Sequence, residues 1–166
     1  MRSRLIAVVG SGGEPPAAIQ ELAEELGSAL IDAGYGIVTG GGGGVQEAVC
    51  RGAVRRRGKA TKPPLVGVLA GYDVTAGHAF MDVAIPTGLG QARHAVLAAA
   101  GEIVVCVGGA TGALAEVALA RKIGRPVIAL QPSGGTAGLV AQTFPSVHAA
   151  QSVADVLHCI AALLPA

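Results

Sequence analysis

Three glycine-rich stretches each join a short apolar run to a run of helical period: Val9-Gly10-Ser11-Gly12-Gly13, Val38-Thr39-Gly40-Gly41-Gly42-Gly43-Gly44-Val45 and Val107-Gly108-Gly109-Ala110-Thr111-Gly112-Ala113. The chemistry open to such turns is anion binding. Glycine tolerates positive φ and lets a ligand approach main-chain N–H groups. The first N–H groups of the helix that follows have no acceptor within it, and the helix dipole favours negative charge there. In an open parallel sheet these turns gather at the carboxyl ends of the strands, where ligands bind. Gly10, Ser11, Gly12, Thr39, Gly40, Gly41, Gly42, Gly43, Gly44, Gly108, Gly109, Thr111 and Gly112 are therefore the candidate lining of a phosphate-binding cleft, with the hydroxyls of Ser11 and Thr39 at strand ends beside it.

Two familiar glycine fingerprints do not fit. A dinucleotide fingerprint opening at Gly10 and Gly12 needs glycine where Pro15 stands, and no acidic residue closes the second strand to hold a ribose. No Gly-Lys-Ser/Thr triplet occurs, which excludes a P-loop. Conventional NAD and ATP use is disfavoured.

The elements that must position these turns follow from hydrophobic period. Leu5–Val9 reads as a strand, and Pro15-Pro16 opens a helix. Ile19, Leu22, Leu26, Leu30 and Ala33 share that helix's inner face, with Glu21, Glu24 and Glu25 outward and Gly34 as its stop. Gly36–Thr39, Leu65–Ala70, Val83–Ile85, Ile103–Val107 and Pro126–Leu130 read as further strands. Val45–Val54, Leu89–Ala100, Gly112–Ile123 and Ser152–Leu164 read as helices, and Ser133–Gly138 as a loop. Alternation of strand, glycine turn and helix predicts βαβ units, and strands apolar along their whole length predict helices on both faces. The expectation is α/β: a single Rossmann-like domain over residues 1–166, with a central parallel sheet of about six or seven strands.

Composition narrows the function classes. The chain is 51% hydrophobic with a formal net charge of +1, which excludes disorder. Its length suffices to bury about 70% of the surface of the unfolded chain. Aromatic residues make up only 2%, too few for base-stacking nucleic-acid modules, so no nucleic-acid partner is expected. No apolar run reaches the roughly 18 residues of a membrane span, and Leu5–Val9 is too short for a signal-peptide core. Cys50, Cys106 and Cys159 are far apart in apolar surroundings and read as buried thiols of a cytoplasmic protein, with no zinc spacing to a histidine. Arg51, Arg55, Arg56, Arg57, Lys59 and Lys62 form a basic stretch, expected to be a solvated helix end favoured by the helix dipole. Asp73 and Asp82 read as loop and strand-end residues.

Three motifs carry a resemblance. Thr39-Gly40-Gly41-Gly42-Gly43-Gly44-Val45-Gln46-Glu47-Ala48 resembles the first motif of the LOG-type, or lysine-decarboxylase-like, superfamily. Ile85-Pro86-Thr87-Gly88-Leu89-Gly90-Gln91-Ala92-Arg93 and Val107-Gly108-Gly109-Ala110-Thr111-Gly112-Ala113-Leu114-Ala115-Glu116 resemble its later motifs, with Glu116 23 positions after Arg93 as in the LOG enzymes. The Thr-Gly-Leu-Gly-x-Ala-Arg form looks most like the short subgroup of molybdenum-cofactor carrier proteins, and it adds Gly88 and Gly90 to the candidate binding residues. The resemblance implies one of two functions. The first is a non-catalytic binding protein for a phosphorylated small molecule, a nucleotide or the molybdenum cofactor. The second is a phosphoribohydrolase that cuts the N-glycosidic bond of a nucleoside 5′-monophosphate. In the second, Arg93 would orient the substrate and Glu116 would stabilise the cationic sugar of the transition state. Neither requires a cofactor for chemistry, and nothing suggests lysine decarboxylation. The family also implies a homodimer or homotetramer, with the small-residue helix Leu89–Ala100 against its copy.

The chain departs from the enzymes' pattern at several positions. Ala110 replaces a glycine, Ala113 a threonine and Gln46 a methionine. Gly42 stands where relatives often carry arginine, and His94 where they carry Asn or Lys. The threonine hydroxyl missing at Ala113 is worth roughly 0.5–1.5 kcal/mol of hydrogen bonding. These changes favour binding over hydrolysis.

Overall fold

A computed structural model describes residues 3–60 and 62–165. The chain runs β1 (Leu5–Gly10), α1 (Ala17–Asp32), β2 (Gly36–Thr39), α2 (Val45–Arg57), β3 (Leu65–Leu69) and β4 (Val83–Pro86). It continues α3 (Arg93–Ala100), β5 (Ile103–Val107), α4 (Thr111–Lys122), β6 (Val127–Leu130), α5 (Gly135–Thr143), β7 (His148–Ala150) and α6 (Val153–Leu163). One seven-stranded sheet has the order β4-β3-β2-β1-β5-β6-β7, parallel throughout.

Strand apolarity has its cause in the layers. Ile6, Val8, Ile37, Val105 and Ile128 face α1, α2 and α6 on one side. Ala7, Val9, Val38, Val104, Cys106 and Ala129 face α3, α4 and α5 on the other. Helices α1 and α2 approach through glycine notches. A Cβ on Gly27 would lie 1.9 Å from the Val49 carbonyl oxygen, and one on Gly52 would lie 2.0 Å from that of Glu24.

Several sequence expectations need correction. The segment Ser133–Gly138, read as a loop, is instead the end of a 3-10 turn (Gln131–Ser133) and the start of α5. Gly134 and Gly135 take φ of 68° and 53° to turn the chain, and Thr136, Ala137 and Val140 are then buried against the sheet. Strand β7 was not anticipated. The run Leu89–Ala100 is not one helix: Gly90–Ala92 form a 3-10 turn, α3 begins at Arg93, and Leu89 is exposed. Glu24 does not point free into solvent; it accepts from Arg51 Nε at 2.7 Å and also pairs with Arg55.

The basic stretch is correspondingly more than a solvated helix end. Arg56 pairs with Asp32, and Arg57, with its side chain 5% exposed, donates to Asp82 Oδ1 at 2.8 Å and to the Pro63 carbonyl at 2.7 Å. Asp82 Oδ2 in turn accepts the Leu65 N–H at 2.7 Å. The end of α2, the start of β3 and the approach to β4 are thereby clamped together.

Burial pushes the Cys50 and Cys106 thiols up to about 12, whereas Cys159 is half-buried. Thiolate is the reactive form. At pH 8 a disulfide exchange reagent is expected to titrate Cys159 in the native protein and all three thiols in denaturant; rapid native labelling of Cys50 or Cys106 would contradict this packing. Among the described residues, no helix is long and apolar enough to cross a membrane.

Candidate functional site

Strand order reverses between β1 and β5, because β2, β3 and β4 step away on one side and β6 and β7 on the other. Crevices form at the carboxyl ends of strands where order reverses. Here the β1–α1 turn and the β5–α4 turn face each other, with the β2–α2 turn alongside. A Cβ on Gly10 would lie 2.5 Å from the Val107 carbonyl oxygen, and one on Gly44, whose φ is 63°, 2.3 Å from the carbonyl oxygens of both Ser11 and Gly13. Only glycine permits these approaches.

Two cavities flank the β1–α1 turn and share Gly12. The smaller, about 190 Å³, is lined by Gly10, Ser11, Gly12, Gln46, Gln91, Arg93, His94, Ala110, Gly112, Ala113 and Glu116. The larger, about 380 Å³, is lined by Gly12, Glu14, Pro15, Gln20, Gly43, Gly44, Glu47 and Arg51. Small-molecule sites commonly occupy about 300–1,000 Å³, so the two together match a ligand that straddles the turn.

Arg93 and Glu116 meet in the smaller cavity. Arg93 stands at the start of α3 and Glu116 in the second turn of α4. Arg93 Nη1 is buried, has no hydrogen-bond partner, and lies 3.9 Å from Glu116 Oε1. A buried guanidinium nitrogen without an acceptor is costly, and an incoming anion would satisfy it. Gly40 makes room for it: a Cβ there would lie 1.8 Å from Nη1. Glu116 Oε1 also lies 2.7 Å from His94 Nδ1, while His94 Nε2 lies 3.0 Å from Gln91 Oε1. Burial raises the Glu116 carboxyl above the usual carboxylate range, and His94 and Arg93 partly oppose that rise.

Because its folded-state value is raised, Glu116 favours folding when protonated. That contribution is present below the usual carboxylate value and is lost as pH rises through the elevated one. Glu116→Gln, whose carbonyl can still accept from His94, is therefore expected to gain stability relative to wild type as pH increases across that window, then level off. Urea melts from pH 4 to pH 8 check this. A stability difference independent of pH would show that the carboxylate is as well accommodated as in water.

The remaining candidate residues fall into distinct places. Thr39 is fully buried, and its Oγ1 accepts the Gly41 N–H at 3.1 Å, so its hydroxyl shapes the turn from beneath. Gly40 and Gly41 form that same floor, under Arg93 and against Leu69 and Met81 respectively. The Gly42 N–H donates to Gln46 Oε1 at 3.0 Å. Gly108 N–H donates to Ser133 Oγ at 2.7 Å, and the Gly109 carbonyl accepts from Thr136 N–H. Gly112 lines the cleft, whereas Thr111 is exposed at the start of α4. Gly88 and Gly90 lie on the loop before α3, where their N–H groups bond the carbonyls of Gly71 and Ala70.

The two helix starts differ electrostatically. Helix α2 carries Glu47 in its first turn, and a Cβ on Gly43 would lie 3.9 Å from Glu47 Oε2. That carboxylate already takes the favoured position at the α2 N-terminus. Helix α4 has no acidic residue in its first turn and faces Arg93 and Gln46 across the smaller cavity. Sequence reasoning missed this asymmetry, although Glu47 three residues after Gly44 was a readable signal.

A family model described as the SLOG cluster4 family matches residues 3–159. An uncharacterized protein of Archaeoglobus fulgidus is 30% identical over 132 residues, covering 80% of this chain and 83% of that one. Among solved structures, the molybdenum cofactor binding protein of Rippkaea orientalis is 28% identical with a TM-score of 0.83, over 98% of each chain. The molybdenum cofactor carrier protein of Chlamydomonas reinhardtii is 30% identical with a TM-score of 0.83, over 99% of this chain and all of that one. DNA processing protein A of Helicobacter pylori, at 18% identity and a TM-score of 0.70 over 95% of this chain and 80% of that one, shares the fold.

Proposed function

Since the chain belongs to the SLOG cluster4 family, we propose that it is a binding protein for a phosphorylated small molecule held in the switch-point cleft, and that this molecule is the molybdenum cofactor. The observation that carries the reading is the smaller cavity, where the open start of α4 at Ala110–Ala113 faces an Arg93 nitrogen with no acceptor of its own. Phosphate satisfies both: the helix start supplies N–H donors and a favourable dipole, and arginine supplies a charge-assisted bond. The larger cavity, across Gly12, leaves room for the rest of the ligand. Likeness to molybdenum cofactor binding and carrier proteins over nearly the whole of both chains supports the choice of ligand.

Glu116 favours holding over cutting. Its carboxylate is 3% exposed and already engaged with His94, where the hydrolase pattern carries Asn or Lys. No chemistry is required of the protein, which orients and shields its cargo. A cytoplasmic carrier that assembles as a homodimer or homotetramer fits the free thiols and the exposed Val83, Ile85, Leu89 and Val96 along β4 and the approach to and outer side of α3.

The test is transfer. Cofactor released anaerobically from a molybdoenzyme, mixed with the protein and passed through gel filtration, is expected to elute with it, with molybdenum rising in proportion to chain. Molybdenum that elutes wholly apart from the protein would overturn the reading. The common approach of Arg93 and Glu116 supports phosphoribohydrolase activity as the second reading. Free base released from AMP, and abolished by Glu116→Ala, would establish it instead.

A further inference from the structure

Gln91, His94 and Glu116 form a chain of polar side chains along the wall of the smaller cavity. Gln91 sits in the 3-10 turn Gly90–Ala92 and His94 in the first turn of α3, three positions apart, a spacing that sets side chains one above the other. Helix α4 packs on α3 and presents Glu116 to the same imidazole. The ring is held at both nitrogens: Nε2 lies 3.0 Å from Gln91 Oε1, and Nδ1 lies 2.7 Å from Glu116 Oε1. The His94 side chain is 12% exposed, so the ring is largely closed off from water.

These contacts count protons. An amide oxygen only accepts, so His94 Nε2 carries a proton and donates it to Gln91. A neutral imidazole protonated there has a lone pair at Nδ1, and an ionised carboxyl oxygen also offers only lone pairs. Two lone pairs repel at 2.7 Å, whereas a proton between them makes a short bond. The pair therefore holds one proton more than a neutral ring plus a carboxylate, and it is uncharged as a whole whichever atom carries that proton. Arg93 is then the one net charge lining the smaller cavity among the described residues, with Nη1 unpartnered 3.9 Å from Glu116 Oε1.

The surroundings leave that balance alone. Of the elements packed on α3 and α4, strands β1, β2, β3 and β6 and helix α5 carry no ionisable side chain, and β5 brings Cys106, whose thiol burial keeps protonated. Arg121 and Lys122 are exposed at the far end of α4. Glu47 and Arg51 line the larger cavity, where they pair with each other at 3.5 Å.

We infer that the Glu116–His94 pair, oriented by Gln91, sets the charge that the smaller cavity accepts: with its proton it leaves Arg93 to a phosphate, and without it the carboxylate takes Arg93 as its own counter-ion. This rests on the reading of the cavity as a phosphate site and adds how that site admits and releases its ligand. A phosphate beside Glu116 disfavours the ionised carboxyl, so binding takes up a proton wherever the empty site has lost one. Burial of Glu116 acts in the same direction. Affinity therefore falls as pH rises through the titration of the pair, and loss of the proton favours release.

Calorimetric titration with ribose 5-phosphate from pH 6.5 to 9.5, in buffers of different ionisation heat, tests this. Wild type is expected to take up as much as one proton per phosphate within that range. Its affinity relative to Glu116→Gln, which cannot titrate, should fall by up to about tenfold per pH unit, the limit for one proton; the ligand's own ionisation is common to both and cancels. Nitrogen NMR of the His94 ring, which needs no variant, is expected to show Nε2 protonated throughout. Wild type that binds with no proton uptake at any pH, or with the same pH profile as Glu116→Gln, overturns the role of the pair and leaves the phosphate site standing. So does a ring protonated at Nδ1 with Nε2 bare. Wild type that binds ribose 5-phosphate at no pH overturns the phosphate site and the pair's role with it.

Discussion

Gly40→Ala is expected to weaken binding of a phosphorylated ligand almost as much as Arg93→Ala, although Gly40 is buried beneath the cleft. The added methyl would lie 1.8 Å from Arg93 Nη1 and 2.7 Å from Gln46 Oε1. Either Arg93 leaves its seat or the turn after β2 moves, and in both cases the nitrogen that awaits an acceptor is no longer aimed into the cavity. Truncating one partner of a buried, hydrogen-bonded charge pair costs about 2–5 kcal/mol of binding, or roughly 30- to 4,000-fold in Kd. Arg93→Ala should fall in that range, and Gly40→Ala within tenfold of it. Calorimetry with neopterin monophosphate measures both. If Gly40→Ala binds as wild type, the seat of Arg93 is unimportant. The double variant should lose little beyond Arg93→Ala alone, because both changes remove the same contact.

Arg57→Ala is expected to be the most destabilising single change in the chain's basic stretch. The Arg57 side chain is 5% exposed and binds Asp82 and the Pro63 carbonyl, while Asp82 holds the Leu65 N–H at the start of β3. Removing the arginine leaves a carboxylate in a half-closed site without its counter-charge, which costs about 3–5 kcal/mol. For a chain of this size that lowers Tm by about 6–20 °C. Neighbouring Arg56→Ala, whose pair with Asp32 is exposed and screened by solvent, should change stability far less. Replacing Arg57 and Asp82 together by apolar residues of similar volume should recover much of the loss. Equal melting temperatures for Arg56→Ala and Arg57→Ala would refute the clamp.

What was legible in the sequence was whatever repeats with a period or demands glycine. Wholly apolar runs such as Ile103–Val107 mark strands covered on both faces, and Gly10, Gly40 and Gly44 mark places where backbone and side chains crowd together. Helix α5 was hidden because Gly134, Gly135 and Gly138 make its start read as a flexible turn, while only Thr136, Ala137 and Val140 bury enough surface to fix it. Strand β7, three residues with two exposed, has no apolar run to announce it. The pairing of Glu24 with Arg51 and Arg55 joins residues about 30 positions apart, and no local period reports it. The motifs drew attention to Arg93 and Glu116, which line one cavity, but single residues could not disclose that His94 and a buried carboxyl would bind each other there.

The central claim is that phosphate sits at the start of α4 beside Arg93, not at the start of α2 beside Glu47. Amide NMR of the labelled chain titrated with neopterin monophosphate tests it most directly. The expected result is that Gly112, Ala113 and the Arg93 side-chain N–H move most, with Gly43 and Gly44 shifting less. Saturation with those three signals unmoved, or with the largest changes at Gly43 and Gly44, would contradict it.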